Sequence, residues 1–168
     1  GKGSAIFMLI FDFDGVVMNS IDEITVTANN AITGNLAISL ESFSQSVVRI
    51  FQRNRFHVQA IGDTFSLMQW CVENGESDPD RILSKEDYEM ILQYETEPLL
   101  ERMNRFFAAR NAFVKKDEMG WFSLNAPYRP LWQELQTLSI EQIILLTKKN
   151  REAVLRLCHH FGRMLDEK

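Results

Sequence analysis

The sequence predicts an α/β fold, and three observations carry that expectation. Two apolar runs of strand length, "AIFMLIFDF" at 5–13 and "IEQIILLT" at 140–147, lie far apart in the chain. Nearly everything between them has apolar residues three and four apart, the spacing of amphipathic helices. A further amphipathic segment follows the second run. The order is strand, long helical block, helix, strand, helix. That order describes a core with a parallel sheet and a helical insertion placed directly after its first strand.

Each element has a local reason. "AIFMLIFDF" is continuously apolar, as strands buried on both faces are. "SIDEITVTANNAITG" reads as a helix, with Ser20 and Glu23 at capping-box spacing and Gly34 as the stop. "SFSQSVVRIFQRNR" and "FHVQAIGDTFSLMQWCVENG" continue the helical block. "SKEDYEMILQYETEPLLERMNRFFAARNAFVKK" completes it. Ser84 followed by Asp87 marks the start of that last piece, and Pro98 should kink or break it. "MGWFSLNAPYRPL" holds two prolines and a glycine and reads as a connection. "PLWQELQTLS" is a short helix. "NREAVLRLCHHFG" is a helix from Asn150 to Gly162, with His159 and His160 where a helix dipole favours cations. The expected division is residues 1–19 and 120–168 for the α/β core, and 20–119 for the helical insertion.

Composition limits the function classes. The chain has 168 residues, 18 Lys and Arg against 23 Asp and Glu, and a net charge of −5. That balance gives no electrostatic footprint for nucleic acid or an anionic membrane surface. No apolar run approaches the roughly 20 residues that cross a bilayer. The N-terminal residues lack a signal-peptide layout. Cys71 and Cys158 form neither a disulfide framework nor a metal motif and read as reduced core residues. The expected compartment is the cytoplasm.

The chemistry is expected at the strand ends, because ligands of open parallel sheets bind beyond the carboxyl ends of the strands. Asp12 and Asp14 stand just past the first strand, with Gly15 permitting a sharp turn. Thr147 closes the second strand, and Lys148 follows it. An aspartate in such a crevice can attack phosphorus and form an aspartyl-phosphate. A second carboxylate two positions on can protonate the leaving alcohol and later activate water. A Mg²⁺ ion would offset repulsion between nucleophile and phosphate. The Thr147 hydroxyl and the amides opening the next helix can donate to phosphate oxygens, with Lys148 adding charge. Taken singly, each of these features has a commoner reading as a solvated turn, a helix start or a surface charge.

"FDFDGVVMNS" resembles the first signature of the haloacid dehalogenase superfamily, D-x-D-G-[VT] followed by a serine. "IILLTKKN" resembles its second signature, an apolar strand ending in Thr or Ser. "APYRPLWQELQTLS" is similar to the return from cap to core in its phosphoglycolate-phosphatase-like members. The resemblance implies a Rossmann-like core with a mobile helical cap. It implies Mg²⁺-dependent hydrolysis of a small phosphorylated metabolite. Asp12 would be nucleophile and metal ligand, and Asp14 acid/base with its carbonyl on the metal. Thr147 would bind phosphate. Asn19 stands where an Asp is usual before the serine.

The superfamily also uses a lysine signature and a later acidic signature, and neither is assigned here. Asp166, Glu167 and Lys168 follow no apolar strand. Only the N-terminal part of the core sheet is therefore expected. A complementary C-terminal segment or a second copy would complete it, and the chain alone would be weakly active or inactive. Two other functions stay open: a phosphomutase relative, and a non-catalytic phosphate-binding or interaction protein. In the helical block, Arg49, Arg53, Arg55 and His57 lie close in sequence. A solvated basic face is the plain reading, and contact of Arg55 or His57 with a substrate leaving group is the sharper one. Phe56, Trp70, Phe106 and Phe107 are assigned to packing within the block.

Overall fold

The computed structural model describes residues 9–12 and 143–146 along the backbone, and 18–137 and 151–162 in full. These residues are mostly helical. They separate into two compact units. One is Ile21–Leu124, and the other draws on Gly1–Ser20 and Asn125–Lys168.

The expected Rossmann-like α/β core is overturned. Among the described residues, extended structure amounts to two short pairings. β1 (Leu9–Asp12) and β4 (Ile143–Leu146) form a parallel pair of four residues each. β2 (Met18–Asn19) and β3 (Ala126–Pro127) form an antiparallel pair of two residues each. Strands this short and few do not make the multi-stranded parallel sheet of such a core. The physical reason lies in the apolar spacing. Most of the chain places apolar residues three and four apart, so burial is met helix against helix.

The unit Ile21–Leu124 is wholly helical. It contains α1 (Ile21–Thr33), α2 (Gln45–Asn54), α3 (Asp63–Asn74), α4 (Lys85–Gln93), α5 (Leu99–Lys116) and α6 (Glu118–Ser123). Short 3-10 turns at Leu40–Ser42 and Arg55–His57 flank α2. Local signals explain most boundaries. Gly34 ends α1 with φ of +71°, and its N–H donates to the Asn30 carbonyl. The Ser84 hydroxyl accepts from the Asp87 N–H and starts α4. Pro98 sits at the N-cap of α5, so the proline divides the predicted long helix in two. "MGWFS", read above as part of a connection, forms most of α6, because Asp117 caps it by accepting from the Gly120 N–H.

α1 is the centre of this unit and packs on α2, α3 and α5. All nine residues from Glu23 to Ala31 are buried, polar ones included. Burial of so many polar groups is tolerable only when each finds a partner. The Thr25 hydroxyl donates to the Ile21 carbonyl. The Asn30 amide clamps Ala37 from both sides, accepting from its N–H at 3.0 Å and donating to its carbonyl at 2.9 Å. Ile24, Ala28, Ile50, Phe51, Leu67 and Phe106 form the apolar body around the helix. Where α3 meets α2, a side chain at Gly75 would stand 3.1 Å from Ile50 Cγ2 and 2.7 Å from the Cys71 carbonyl. Only glycine allows that approach.

One buried ion pair ties α1 to α5 and α6. Glu23 is fully buried, and its carboxylate receives Arg110 in bidentate fashion, Nε–Oε1 at 2.6 Å and Nη2–Oε2 at 3.0 Å. Trp121 Nε1 and the Thr27 hydroxyl also donate to Oε1, at 2.9 and 3.1 Å. The Arg110 guanidinium lies 4.9 Å from the Phe106 ring centroid. A second cation, Arg102, joins α5 to α3 through Asp63 at 2.8 Å and the Ser66 hydroxyl at 3.0 Å.

In the other unit, α7 (Arg129–Thr137) and α8 (Arg151–His160) supply the buried residues Trp132, Leu135, Val154, Leu157 and Cys158. Trp132 Nε1 donates to the Phe161 carbonyl at 3.2 Å, and the two rings meet edge to face. Gly162, with φ of +93°, follows the end of α8. Both cysteines are buried and unbridged.

The Glu23–Arg110 pair makes a quantitative expectation. Arg110→Met strands a buried carboxylate and should destabilise the protein by about 3–5 kcal/mol in urea unfolding. The double replacement Glu23→Leu with Arg110→Met should recover most of that loss.

Candidate functional site

The backbone fixes the first element of the candidate site. β1 and β4 run parallel with the register Leu9↔Ile143, Ile10↔Ile144, Phe11↔Leu145 and Asp12↔Leu146. Asp12 is therefore the last residue of β1, directly across from the last residue of β4. Neighbouring strands lie about 4.8 Å apart. The residue after Leu146 in the sequence is Thr147. Asp14, Thr147 and Lys148 lie outside the described residues, as does the side chain of Asp12.

The donor chemistry at Asp12 and Asp14 is compatible with a hard cation. Carboxylate and carbonyl oxygens are the ligands that Mg²⁺ takes, with water completing its shell. Among the described residues, no group of three or more His, Cys, Asp or Glu side chains is arranged to hold a metal.

Arg55 and His57 stand in the 3-10 turn after α2. Arg55 Nη1 donates to the Val58 carbonyl at 3.4 Å. His57 Nε2 is 2.8 Å from the Leu83 carbonyl, and its ring stacks on Tyr88 at 4.9 Å between centroids. These contacts tie the turn to the segment leading into α4. Asn54 ties the same segment by accepting from the Leu83 N–H and donating to the Arg81 carbonyl. Arg49 and Arg53 both reach Asp80, at 2.6 and 3.3 Å, on the surface. Phe56, assigned above to packing, is 64% exposed, whereas Phe106 is fully buried. Burial pushes the Tyr88 phenol up to about 12, with the Asp63 charge acting in the same direction.

The sequence reading missed a cleft in the helical unit. It has a volume of about 500 Å³ and lies among α3, the end of α4 and the start of α5. Trp70 packs against the apolar core, as expected, and is also one of the cleft's walls. Glu95 is another. Burial of that carboxylate pushes its pKa up, but hydrogen bonds outweigh the effect and leave it below the ordinary value of 4.5. The donors are the Ser66 hydroxyl at 2.6 Å and the Glu97 N–H at 3.0 Å, with Arg102 adding positive charge. Glutamates two residues apart in a loop give no sequence signal for such a cleft, because its far wall comes from α3.

No protein-family model matches the chain, and neither does any curated protein or any solved structure. No helix among the described residues is long and apolar enough to cross a membrane.

Two expectations follow from these side chains. The buried Tyr88 hydroxyl has no hydrogen-bond partner among the described residues. Tyr88→Phe should therefore raise stability by about 1 kcal/mol in thermal or urea unfolding, since it deletes an unsatisfied group. For Glu95, the folded pKa is depressed, so its contribution is present above the unfolded value and is lost as pH falls through the folded one. Ser66→Ala should raise the Glu95 pKa, read by NMR titration. It should also shrink the part of folding stability that disappears below pH 4.5.

Proposed function

We propose that the chain is a Mg²⁺-dependent phosphatase of the haloacid dehalogenase type, acting in the cytoplasm on a small phosphorylated metabolite. The observation that carries this reading is the register Asp12↔Leu146. It supports the reading because Asp12, the first aspartate of the D-x-D-G stretch, pairs with the residue that precedes Thr147 and Lys148 in the sequence.

The chemistry assigns one task to each residue. A carboxylate oxygen of Asp12 attacks phosphorus as the ester P–O bond breaks, giving an aspartyl-phosphate. Asp14 gives its proton to the departing alkoxide, and its carboxylate then takes a proton from water. That water attacks phosphorus, breaks the bond to Asp12 and releases inorganic phosphate. Thr147 donates a hydrogen bond to a phosphate oxygen, and Lys148 offsets charge on the phosphoryl group. Mg²⁺, on the Asp12 carboxylate and the Asp14 carbonyl, would supply the charge neutralisation that lets one anion approach another. The buried, unbridged cysteines are in keeping with a reducing compartment.

The test is p-nitrophenyl phosphate hydrolysis with and without Mg²⁺. Wild type should turn over slowly, as expected for a chain without the lysine and later acidic signatures, and only with the metal. Asp14→Asn should lower kcat by about 10²–10⁴-fold. Asp12→Asn should leave only the uncatalysed rate, with an unchanged circular dichroism spectrum. Phosphate release that Asp12→Asn leaves unchanged, or that does not depend on Mg²⁺, would overturn the proposal.

A further inference from the structure

The cleft of the helical unit has its own chemistry, independent of the phosphatase reading. Its volume, about 500 Å³, is within the range of small-molecule sites. Aromatic faces come from Phe65, Trp70 and Tyr94, and carboxylates from Glu73, Glu95 and Glu97. Arg105 is the one basic side chain in the lining, and it is already committed. Its Nη1 donates to Glu97 at 2.9 Å, and its guanidinium lies 4.6 Å from the Phe65 centroid. Arg105 thus pairs off one carboxylate and one ring.

Arg105 leaves two carboxylates, Glu73 and Glu95, and two rings, Trp70 and Tyr94, in the rest of the lining. Glu73 is exposed and has no ion-pair partner among the described residues. Glu95 accepts from the Ser66 hydroxyl and the Glu97 N–H, with the Arg102 charge nearby. The Thr96 N–H contributes a third bond, and a carboxylate with about four acceptor positions keeps some capacity beyond these. Tyr94 is 78% exposed, although its ring borders the cleft. Trp70 already holds a cation against its ring, Arg81 at 5.4 Å. A concave site with surplus carboxylates and aromatic faces attracts cations by charge and by ring quadrupole together. An inorganic cation would use only the oxygens. An alkylammonium uses both, its N–H groups on the carboxylates and its methylenes on the rings. Inside the same cleft, Arg105 on Phe65 and Glu97 is a built-in example of that pairing.

We propose that this cleft, bordered by Trp70, Tyr94, Glu73 and Glu95, binds an organic ammonium compound of the size of a short aliphatic amine. The carboxylates take the ammonium, and the rings take the alkyl chain. The walls are set beforehand. Arg102 Nε donates to the Glu97 carbonyl at 2.9 Å while Nη1 holds Asp63 and Ser66. The loop between α4 and α5 is therefore fastened to α3 without a ligand.

The test is a titration of the full chain with putrescine, followed by the indole N–H resonance of Trp70. Sodium chloride at matched ionic strength and sodium acetate are the controls. Putrescine should produce a saturable shift that neither control produces. Glu73→Gln should weaken binding about 2–5-fold, as for a solvent-facing ion pair. Tyr94→Ala, at an exposed position that folding does not depend on, should weaken it by a similar factor. Tetramethylammonium should bind more weakly than putrescine, because it cannot donate to Glu73 and Glu95. A putrescine shift that follows ionic strength alone would overturn the proposal. So would affinities in both Glu73→Gln and Tyr94→Ala equal to wild type.

Discussion

The helical unit depends on the pairing of Glu23 with Arg110. A carboxylate and a guanidinium with almost no solvent contact are costly to remove from water, and only close geometry and added donors offset that cost. Both are present. The guanidinium fork meets the carboxylate in two hydrogen bonds, and Trp121 and Thr27 occupy further acceptor positions. Because the partners come from α1, α5 and α6, the cluster fixes three helices against one another in a single arrangement. Apolar packing of Ile24, Ala28 and Phe106 would tolerate several rotations of α1. A buried charge with one possible partner tolerates far fewer, which is how polar groups inside a core can specify structure.

Polar fastening recurs along the unit, always at a place where a loop must be held. Asn30 holds the loop after α1, Asn54 the segment before α4, and Arg102 the loop between α4 and α5. These side chains satisfy backbone groups that the loops would otherwise leave unpaired. The result is a helical unit whose connections are defined as closely as its helices. A cleft walled partly by a loop, as at Glu95 and Glu97, can then keep its shape without a ligand.

Local grammar was legible in the sequence, and long-range partnership was not. Gly34, Ser84 and Pro98 mark helix ends through effects confined to a few residues, and the structure places ends at each of them. Glu23 was legible as a capping residue but not as an ion-pair partner, because Arg110 is 87 positions away. "MGWFS" was masked by nearby prolines, although Asp117 three residues before Gly120 is a sound cap. Phe56 was misassigned because hydrophobicity says nothing of which face a 3-10 turn presents. The expectation of a Rossmann-like sheet gave two apolar runs the weight of a whole core, against a chain otherwise spaced for helices. For the candidate site, the D-x-D-G stretch was readable at once. The neighbour of its strand was a guess from order alone until pairing placed Asp12 across from Leu146.

The two-residue pairing of β2 with β3 bears on the order of folding. Met18 faces Pro127 and Asn19 faces Ala126, so the chain leaves for the helical unit and returns from it at neighbouring points. β1 and β4 are separated by about 130 residues, and closing so long a loop in an unfolded chain is slow and entropically costly. If Ile21–Leu124 folds first, its ends are already brought together. The remaining search then spans only some thirty residues of loose chain, and loop closure grows with the logarithm of that length. The helical unit, far from being a burden on strand pairing, would serve as its template.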